Sequence, residues 1–553
     1  MLLIFYSSVF PVELKESSRG KKKNSIRDVP DMFKRYGPIV REEALWNFPV
    51  VSVMDKSAVE MVLRGSGGKY PLRPPTEATA YYRKSKPDRY ASVGLVNEQG
   101  PTWHHLRTTL TPELTSTRTI TRFLPEINVV ANDFVHLLKK SRDKNHLVSS
   151  FEEIANCIGL ESTCTLILGR RMGFLENAKK DTAKDEKEMT CSVCYPPSDA
   201  NLNNIHINEI YASESKSLRK ECISSDLNGN QPSNKYCSQG DQSPTDTRIS
   251  ENHREKELFD KGDDEGASDL MNSQLEDAER EKRTIECKDR AFRLASAVRA
   301  HFQASRDTYY GLPFWKIIPT PAYSRMAKAE GEIYDIISDL VEQSQIDEEK
   351  HNKIQEDKNE DDSTTEKGVQ SVFMSVLNAQ GLPLREKKAA IIDFIAAGIQ
   401  TLGNTLVFLL YLISKHKEAQ ERLYEEVCRL MPNGSSDELT HDNLKDAVYL
   451  KACIMEAFRV LPTAPCVARI LENEMNLNGF NLPAGTVVLC HTWMACMEES
   501  NFKNAKVFSP ERWLRDEGGG VASPFLVAPF GCGKRMCPGK RFVEQELQVF
   551  LAK

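Results

Sequence analysis

The stretch "APFGCGKRMCPGKRFVEQELQVFLA", residues 528–552, decides the reading of this chain. Cys537 sits among glycines, a proline and the basic residues Lys534, Arg535, Lys540 and Arg541, and a helical pattern begins just behind it. Three chemistries compete for such a cysteine. A buried structural thiol does not need these surroundings. A nucleophile suits them better, because a helix N-terminus and nearby positive charge lower a thiol pKa. It also needs a histidine base, and none of the 11 histidines is marked out by its setting. A thiolate metal ligand fits best. Gly531, Gly533 and Gly539 let the loop turn tightly and approach a flat cofactor. The helix amides temper the charge on sulfur, and Arg535 neutralises an anionic group of the same cofactor. Haem, an iron centre carrying carboxylates, satisfies each part.

The rest of the chain bounds this reading. It has 553 residues, is 40% apolar and carries a net charge of -6. That core is large, and nothing at chain level points to a nucleic-acid partner. The 14 cysteines show no regular spacing, so free thiols in a reducing compartment are expected rather than a disulfide framework. Residues 1–27 read as a separate N-terminal segment, a candidate targeting signal. Its apolar part, "MLLIFYSSVF", is too short to span a bilayer, and its basic run follows that part instead of preceding it.

From residue 28 to 553 the composition reads as one mainly helical domain with a minor sheet. "NFPVVSVMD" is a strand candidate, and "KSAVEMVLRG" and "INVVANDFVHLLKKS" have helical apolar spacing. "LNGFNLPAGTVVLCHTW" reads as a hairpin. Two polar, charge-dense segments, about 177–288 and 345–368, cannot bury enough apolar surface to offset their ordering entropy and are expected to be disordered insertions. Cys191 and Cys194, in the first, lack a second close pair and read as exposed thiols, not as a zinc site.

Residues 389–413, "AAIIDFIAAGIQTLGNTLVFLLYLI", are long and apolar enough to cross a membrane. Asp393, Gln400, Thr401 and Asn404 favour the central helix of a water-soluble core instead. Its small residues Ala397 and Gly398, with Thr401 one turn on, allow either a flat ligand or another helix to come close.

"FGCGKRMCPG" resembles the haem loop of the cytochrome P450 family, Phe-x-x-Gly-x-Arg-x-Cys-x-Gly, at Phe530, Gly533, Arg535, Cys537 and Gly539. Other family signatures follow in order. Glu456 and Arg459 resemble the Glu-x-x-Arg pair, and Arg512 of "FSPERWL" is implied to close a buried charge triad with them. Trp103 and Arg107 resemble a Trp-x-x-x-Arg pair on a haem propionate, and Arg469 stands where the family often has another propionate partner. "AAGIQT" then resembles the oxygen-binding groove, with Ala397, Gly398, Gln400 and Thr401.

The resemblance implies haem b with Cys537 as axial thiolate and a monooxygenase reaction using dioxygen and two electrons. Thr401 is implied to help deliver protons. Gln400 stands where an acid is usual, so protons are expected to run through Thr401 and water, or through Asp393. "GLPFWKIIPTPAYSRM" and "VFSPERWLRD" are similar to the family's mitochondrial clan. That implies an acidic ferredoxin with its reductase, docking on Lys451, Arg535, Lys540 and Arg541. It also implies peripheral association with the inner mitochondrial membrane on the matrix side, the endoplasmic reticulum being the other residence in the family. "DFIAAGIQTLGNTLVFLLYLISKH" and "GPTWHHLRTTLTPELTS" resemble the group that hydroxylates ecdysone at carbon 20. Phe394, Ala464 and Val467 are then expected near a steroid substrate. Another lipophilic substrate, a haem-thiolate isomerase or a non-catalytic haem or steroid binder are the alternatives. The chain ends 16 residues after Cys537, short of the family's C-terminal hairpin, and truncation is an expectation.

Overall fold

The computed structural model describes residues 29–42, 49–144, 147–148, 151–169, 171, 173, 175, 289–290, 292–308, 313–356, 372–434, 437–515 and 523–553. The N-terminal segment, the 177–288 segment with Cys191 and Cys194, and residues 357–368 lie outside them. Helices of eight residues or more are α1 (Val29–Tyr36), α2 (Lys56–Gly65), α3 (Glu77–Lys84), α4 (Gly100–Leu110), α5 (Leu124–Ser141) and α6 (Phe151–Leu168). They continue with α7 (292–308), α8 (Pro321–Glu356), α9 (Leu384–Lys415), α10 (Lys417–Leu430), α11 (Val448–Val460) and α12 (Lys540–Ala552). The strands are β1 (Ile39–Glu42), β2 (Val50–Val53), β3 (Val467–Ile470), β4 (Met475–Leu477), β5 (Phe480–Leu482) and β6 (Val487–Cys490). The described residues belong to one compact unit, mainly helical with a minor sheet.

The centre is α9. Ala389, Ile391, Ile395 and Leu406 on it are fully buried, so its apolar character serves a protein core. It crosses α6 unusually closely, and glycines make that approach. A methyl group on Gly159 would overlap the Ile399 carbonyl, and one on Gly403 would stand 2.8 Å from the Ala155 carbonyl oxygen. Gly398 faces α6 as well: its missing Cβ would lie 2.6 Å from the Thr163 hydroxyl. Gly398 thus makes room for a helix, while Ala397 and Thr401 face a cavity.

Four strands form one sheet in the order β1-β2-β6-β3. β2 and β6 run parallel, Val50 opposite Val487, and β3 runs antiparallel to β6, Val467 opposite Cys490. The expected hairpin ends sooner than its sequence suggests. β4 and β5 close on Asn478 and Gly479, both with positive φ (49° and 92°), as an Asn-Gly turn allows. Pro483 and Gly485 then break the strand, and the apolar β6 joins the larger sheet, where a continuous buried run belongs.

The second insertion also needs correction. Disorder was expected from 345, yet α8 continues to Glu356. Its buried part, with Met326, Ile333 and Ile337, supplies the nucleus. Residues 347–356, "DEEKHNKIQE", are rich in Glu, Lys and Gln, residue types of good helix propensity that extend a formed helix at one hydrogen bond per residue.

Candidate active site

The loop before α12 folds back on itself. Gly531 and Gly533 hold φ of 69° and 66°, a region that side chains with a Cβ rarely adopt. The Cys537 amide donates to the Phe530 carbonyl at 2.9 Å and the Met536 amide to Gly533 at 3.0 Å, which closes the turn. Gly539 differs from the expectation: its φ is an ordinary -79°, at the N-cap of α12. Its contribution is an amide aimed at the Cys537 sulfur. Burial pushes the thiol up, while that amide and the guanidinium groups of Arg107 and Arg73 pull it down.

Cys537 lies at the floor of a cavity enclosing about 1350 Å3 of empty space, open solvent at its mouth included. Phe530, Arg535, Gly539, Trp103, Arg107, Arg469 and Val467 line it, with Phe394, Ala397, Gly398 and Thr401 of α9. Gln400, Ala464 and Gly533, expected at the site, are not among the lining residues. The Thr401 hydroxyl donates to the Ala397 carbonyl at 2.7 Å, and Thr405, one turn on, bonds the Thr463 hydroxyl at 2.7 Å. That second bond ties α9 to the segment leading into β3.

Arginines crowd one side of the cavity. Arg107 donates to the Met536 carbonyl at 2.8 Å and Arg469 to the Cys532 carbonyl at 3.0 Å. Arg535 donates to Pro71 and Gln99, each at 2.8 Å, and its guanidinium stacks 3.8 Å over the Trp103 ring. Arg73 completes the group. It stands in "YPLRPP", where no periodicity or spacing sets it apart, and sequence reasoning passed over it. Burial and the neighbouring Arg469 lower Arg73 to about 10; burial, then Arg73 and Arg469, lower Arg535 to about 9. Two buried donors, Arg469 Nε and Arg535 Nη1, find no acceptor among the described residues. Like charges packed so closely, with donors left over, call for a bound anion. A cofactor carrying carboxylates over a thiolate ligand fits this donor set, and haem is such a cofactor.

Behind the loop lies the expected charge triad, with more partners than foreseen. Arg459 pairs with Glu456 at 2.7 Å and Arg512 with Glu456 at 2.9 Å, and both Glu456 and Arg459 are 0% exposed. The Trp513 indole and the Ser509 amide also donate to Glu456, each at 2.9 Å. Arg459 further reaches the Cys496 and Val507 carbonyls at 3.1 and 2.9 Å. The charge is thus fully bonded, the condition under which a buried ion pair is tolerable.

Asp393 also borders the cavity. Its Oδ1 accepts from Arg83 at 2.9 Å and its Oδ2 from the Val96 amide at 3.3 Å. It lies eight residues before Thr401, about 12 Å along a helix axis. The alternative proton route through Asp393, elsewhere on the helix, would have to span that separation to reach Thr401. Glu546 lines the cavity as well, accepting from the Ser162 hydroxyl, and burial raises its carboxyl to about 7.

A family model described as "Cytochrome P450" matches residues 12–223 and 275–553. The ecdysone 20-monooxygenase of Drosophila melanogaster is 38% identical over 528 residues, 95% of this chain and 76% of that one. The Drosophila melanogaster protein named cytochrome P450 302a1, mitochondrial, is 24% identical over 522 residues, 94% of this chain and 80% of its own length. Cytochrome P450 CYP12A2 of Musca domestica is 24% identical over 537 residues, covering 94% and 78%. The loop, the arginines and the extent of these matches agree: the chain belongs to the cytochrome P450 family, monooxygenases that hold haem through a cysteine thiolate.

Proposed function

We propose that this chain hydroxylates a steroid, ecdysone at carbon 20, giving 20-hydroxyecdysone. One observation carries the chemistry: Cys537, the arginines with unmatched donors and Thr401 face a single cavity. The substrate rests on the 38% identity to an ecdysone 20-monooxygenase along nearly the whole chain. Cys537 would hold haem iron through its thiolate, and Arg73, Arg107, Arg469 and Arg535 would hold the haem carboxylates. Bound haem supplies the activation of dioxygen by two electrons and the insertion of one oxygen atom. The protein positions the reactants and moves protons. Thr401 keeps its hydroxyl proton on the Ala397 carbonyl, which leaves the oxygen lone pairs turned to the cavity as an acceptor for water. Gln400 cannot ionise and stands back from the cavity, so protons reach Thr401 through water.

An acidic ferredoxin with its reductase is the electron donor in this reading. Arg535 does not belong to its docking surface, because it is buried. Lys445, Lys451, Arg541 and His441 instead border a groove beside α12, a basic surface of the right sign for an acidic partner. Arg541 is fixed there by the Thr115 carbonyl and Thr117 hydroxyl, both at 2.8 Å. Lys540 is drawn to Glu544 at 3.8 Å. Phe314, Ile317 and Ile318 are exposed next to Lys316, and Ile317 is 81% exposed. That apolar, basic-flanked edge supports peripheral contact with a membrane, which we assign to the matrix side of the inner mitochondrial membrane.

The test is turnover by the haem-loaded full chain with ferredoxin, reductase, NADPH, dioxygen and ecdysone. The expected product is one oxygen atom heavier and hydroxylated at carbon 20, formed only with reductant. Product formed without reductant or dioxygen, or none from ecdysone, overturns the reading.

A further inference from the structure

The mechanism leaves the buried ion pair of Asp393, at the cavity wall, unused. Asp393 and Arg83 are each 3% exposed at the side chain and belong to a cluster that joins four helices. Arg83 of α3 divides its guanidinium between Asp393 of α9, at 2.9 Å, and Glu330 of α8, at 2.7 Å, and gives its third nitrogen to the Val93 carbonyl. Tyr90 donates to Glu330 at 3.2 Å, and His301 of α7 lies 3.2 Å from the same carboxylate. Burial lowers the His301 pKa and so favours its neutral form, although Glu330 works against it. One guanidinium then serves two carboxylates. Glu330 is the better supplied, with Arg83, Tyr90 and His301 around it. Asp393 has Arg83 and a long bond from the Val96 amide, and it borders the cavity.

A buried ion pair is a costly wall for an apolar ligand, since hydrophobic residues of similar volume are often as stable or more so. A carboxylate has room for about four hydrogen bonds. Asp393 therefore has acceptor capacity facing a cavity whose other α9 residues, apart from Thr401, are apolar. Its place along α9 adds a length: eight residues separate it from Thr401, about 12 Å. That is comparable to the length of a steroid nucleus. With carbon 20 near Thr401, the opposite end of the ring system, ring A, reaches Asp393.

We propose that Asp393 accepts a hydrogen bond from the 3-hydroxyl on ring A of the steroid and so selects 3-hydroxylated substrates over their 3-deoxy analogues. Arg83 and the Val96 amide are positioning groups that hold the carboxylate toward the cavity. The inference rests on the steroid reading above and adds which end of the molecule is recognised.

The experiment measures dissociation constants of ecdysone and 3-deoxyecdysone for the haem-loaded chain, by equilibrium dialysis, in wild type, Asp393→Asn and Glu330→Gln. A hydrogen bond to a charged acceptor amounts to roughly ten- to hundredfold in affinity. Wild type is expected to prefer ecdysone by that factor. Asp393→Asn should lose most of the preference by weakening ecdysone alone. Glu330→Gln, in the same cluster but away from the ligand, should lower the melting temperature and leave the preference intact. Equal affinity of wild type for the two ligands overturns the proposal, and does so even if Asp393→Asn fails to fold. Equal weakening of both ligands by Asp393→Asn also overturns it, because that is a loss of structure. Cholesterol and its 3-deoxy analogue separate the two readings. An Asp393-dependent preference for cholesterol without ecdysone binding sinks the ecdysone assignment and keeps this proposal. Ecdysone turnover with no 3-hydroxyl preference does the reverse.

Discussion

Glu546 shows how a single buried side chain leaves a measurable trace. Burial raises its carboxyl to about 7, and the Ser162 hydroxyl only partly opposes this. An unfolded glutamate titrates near 4.5. Between those values the native state holds a proton that the unfolded state has lost, so stability falls as pH rises from about 4.5 through 7, by an amount of order 3 kcal/mol. Glu546→Gln keeps the size and the partner and removes the titration. Melting temperature against pH should therefore show the variant gaining on wild type at pH 8 and matching it near pH 5. A constant offset across that range would mean that Glu546 is not the titrating group. At this scale the sequence was legible where residue types are rare and ordered. Cys537, Arg535, Arg107, Arg469 and Trp103 all reach the cavity they were expected to reach. Arg73 and Glu546 were not found, because an arginine in a proline-rich loop and a glutamate in an amphipathic helix look like ordinary surface residues until the fold buries them.

Among the elements, the crossing of α6 and α9 sets the shape of the cavity roof. Its glycines are not equivalent. A Cβ on Gly159 meets the Ile399 carbonyl and one on Gly403 meets the Ala155 carbonyl, backbone in both cases. A Cβ on Gly398 meets the Thr163 side chain, which can rotate. Gly159→Ala should destabilise by about 1–3 kcal/mol, as overpacking does, and Gly398→Ala by less. Adding Thr163→Ala should rescue Gly398→Ala in thermal melts; no rescue would mean that the space is limited by backbone there too. The α9 motif was readable as small residues, but which of them faces a helix and which a ligand depends on the angle at which α6 crosses. The same limit applies to Gln400, adjacent in sequence to Thr401 yet turned from the cavity, since successive helix residues point to different sides. The end of α8 differs from the expectation for another reason: charge density argues against a core, but Glu, Lys and Gln have the propensity to prolong a helix already nucleated.

For the whole molecule, the charge network around Glu456 and the cavity around Cys537 depend on segments distant in sequence. Arg107 on α4 bonds the loop at Met536, and Arg535 bonds the 71–99 region in return. Haem loading is therefore expected to follow from global folding. The overall class, helical with a small sheet, was legible from apolar spacing and from the ordered motifs between Trp103 and Cys537. The pairing of β6 with β2 was not, because parallel partners more than 400 residues apart leave no local signal. The claim on which the rest depends is that Cys537 ligates haem as a thiolate. Its most direct test is the difference spectrum of the dithionite-reduced, haem-loaded chain with carbon monoxide, for wild type and Cys537→His. Wild type should give the red-shifted Soret band of thiolate-ligated haem, and Cys537→His should lose it while still holding haem. A wild-type spectrum without the red shift, or a Cys537→His protein that keeps it, would contradict the assignment.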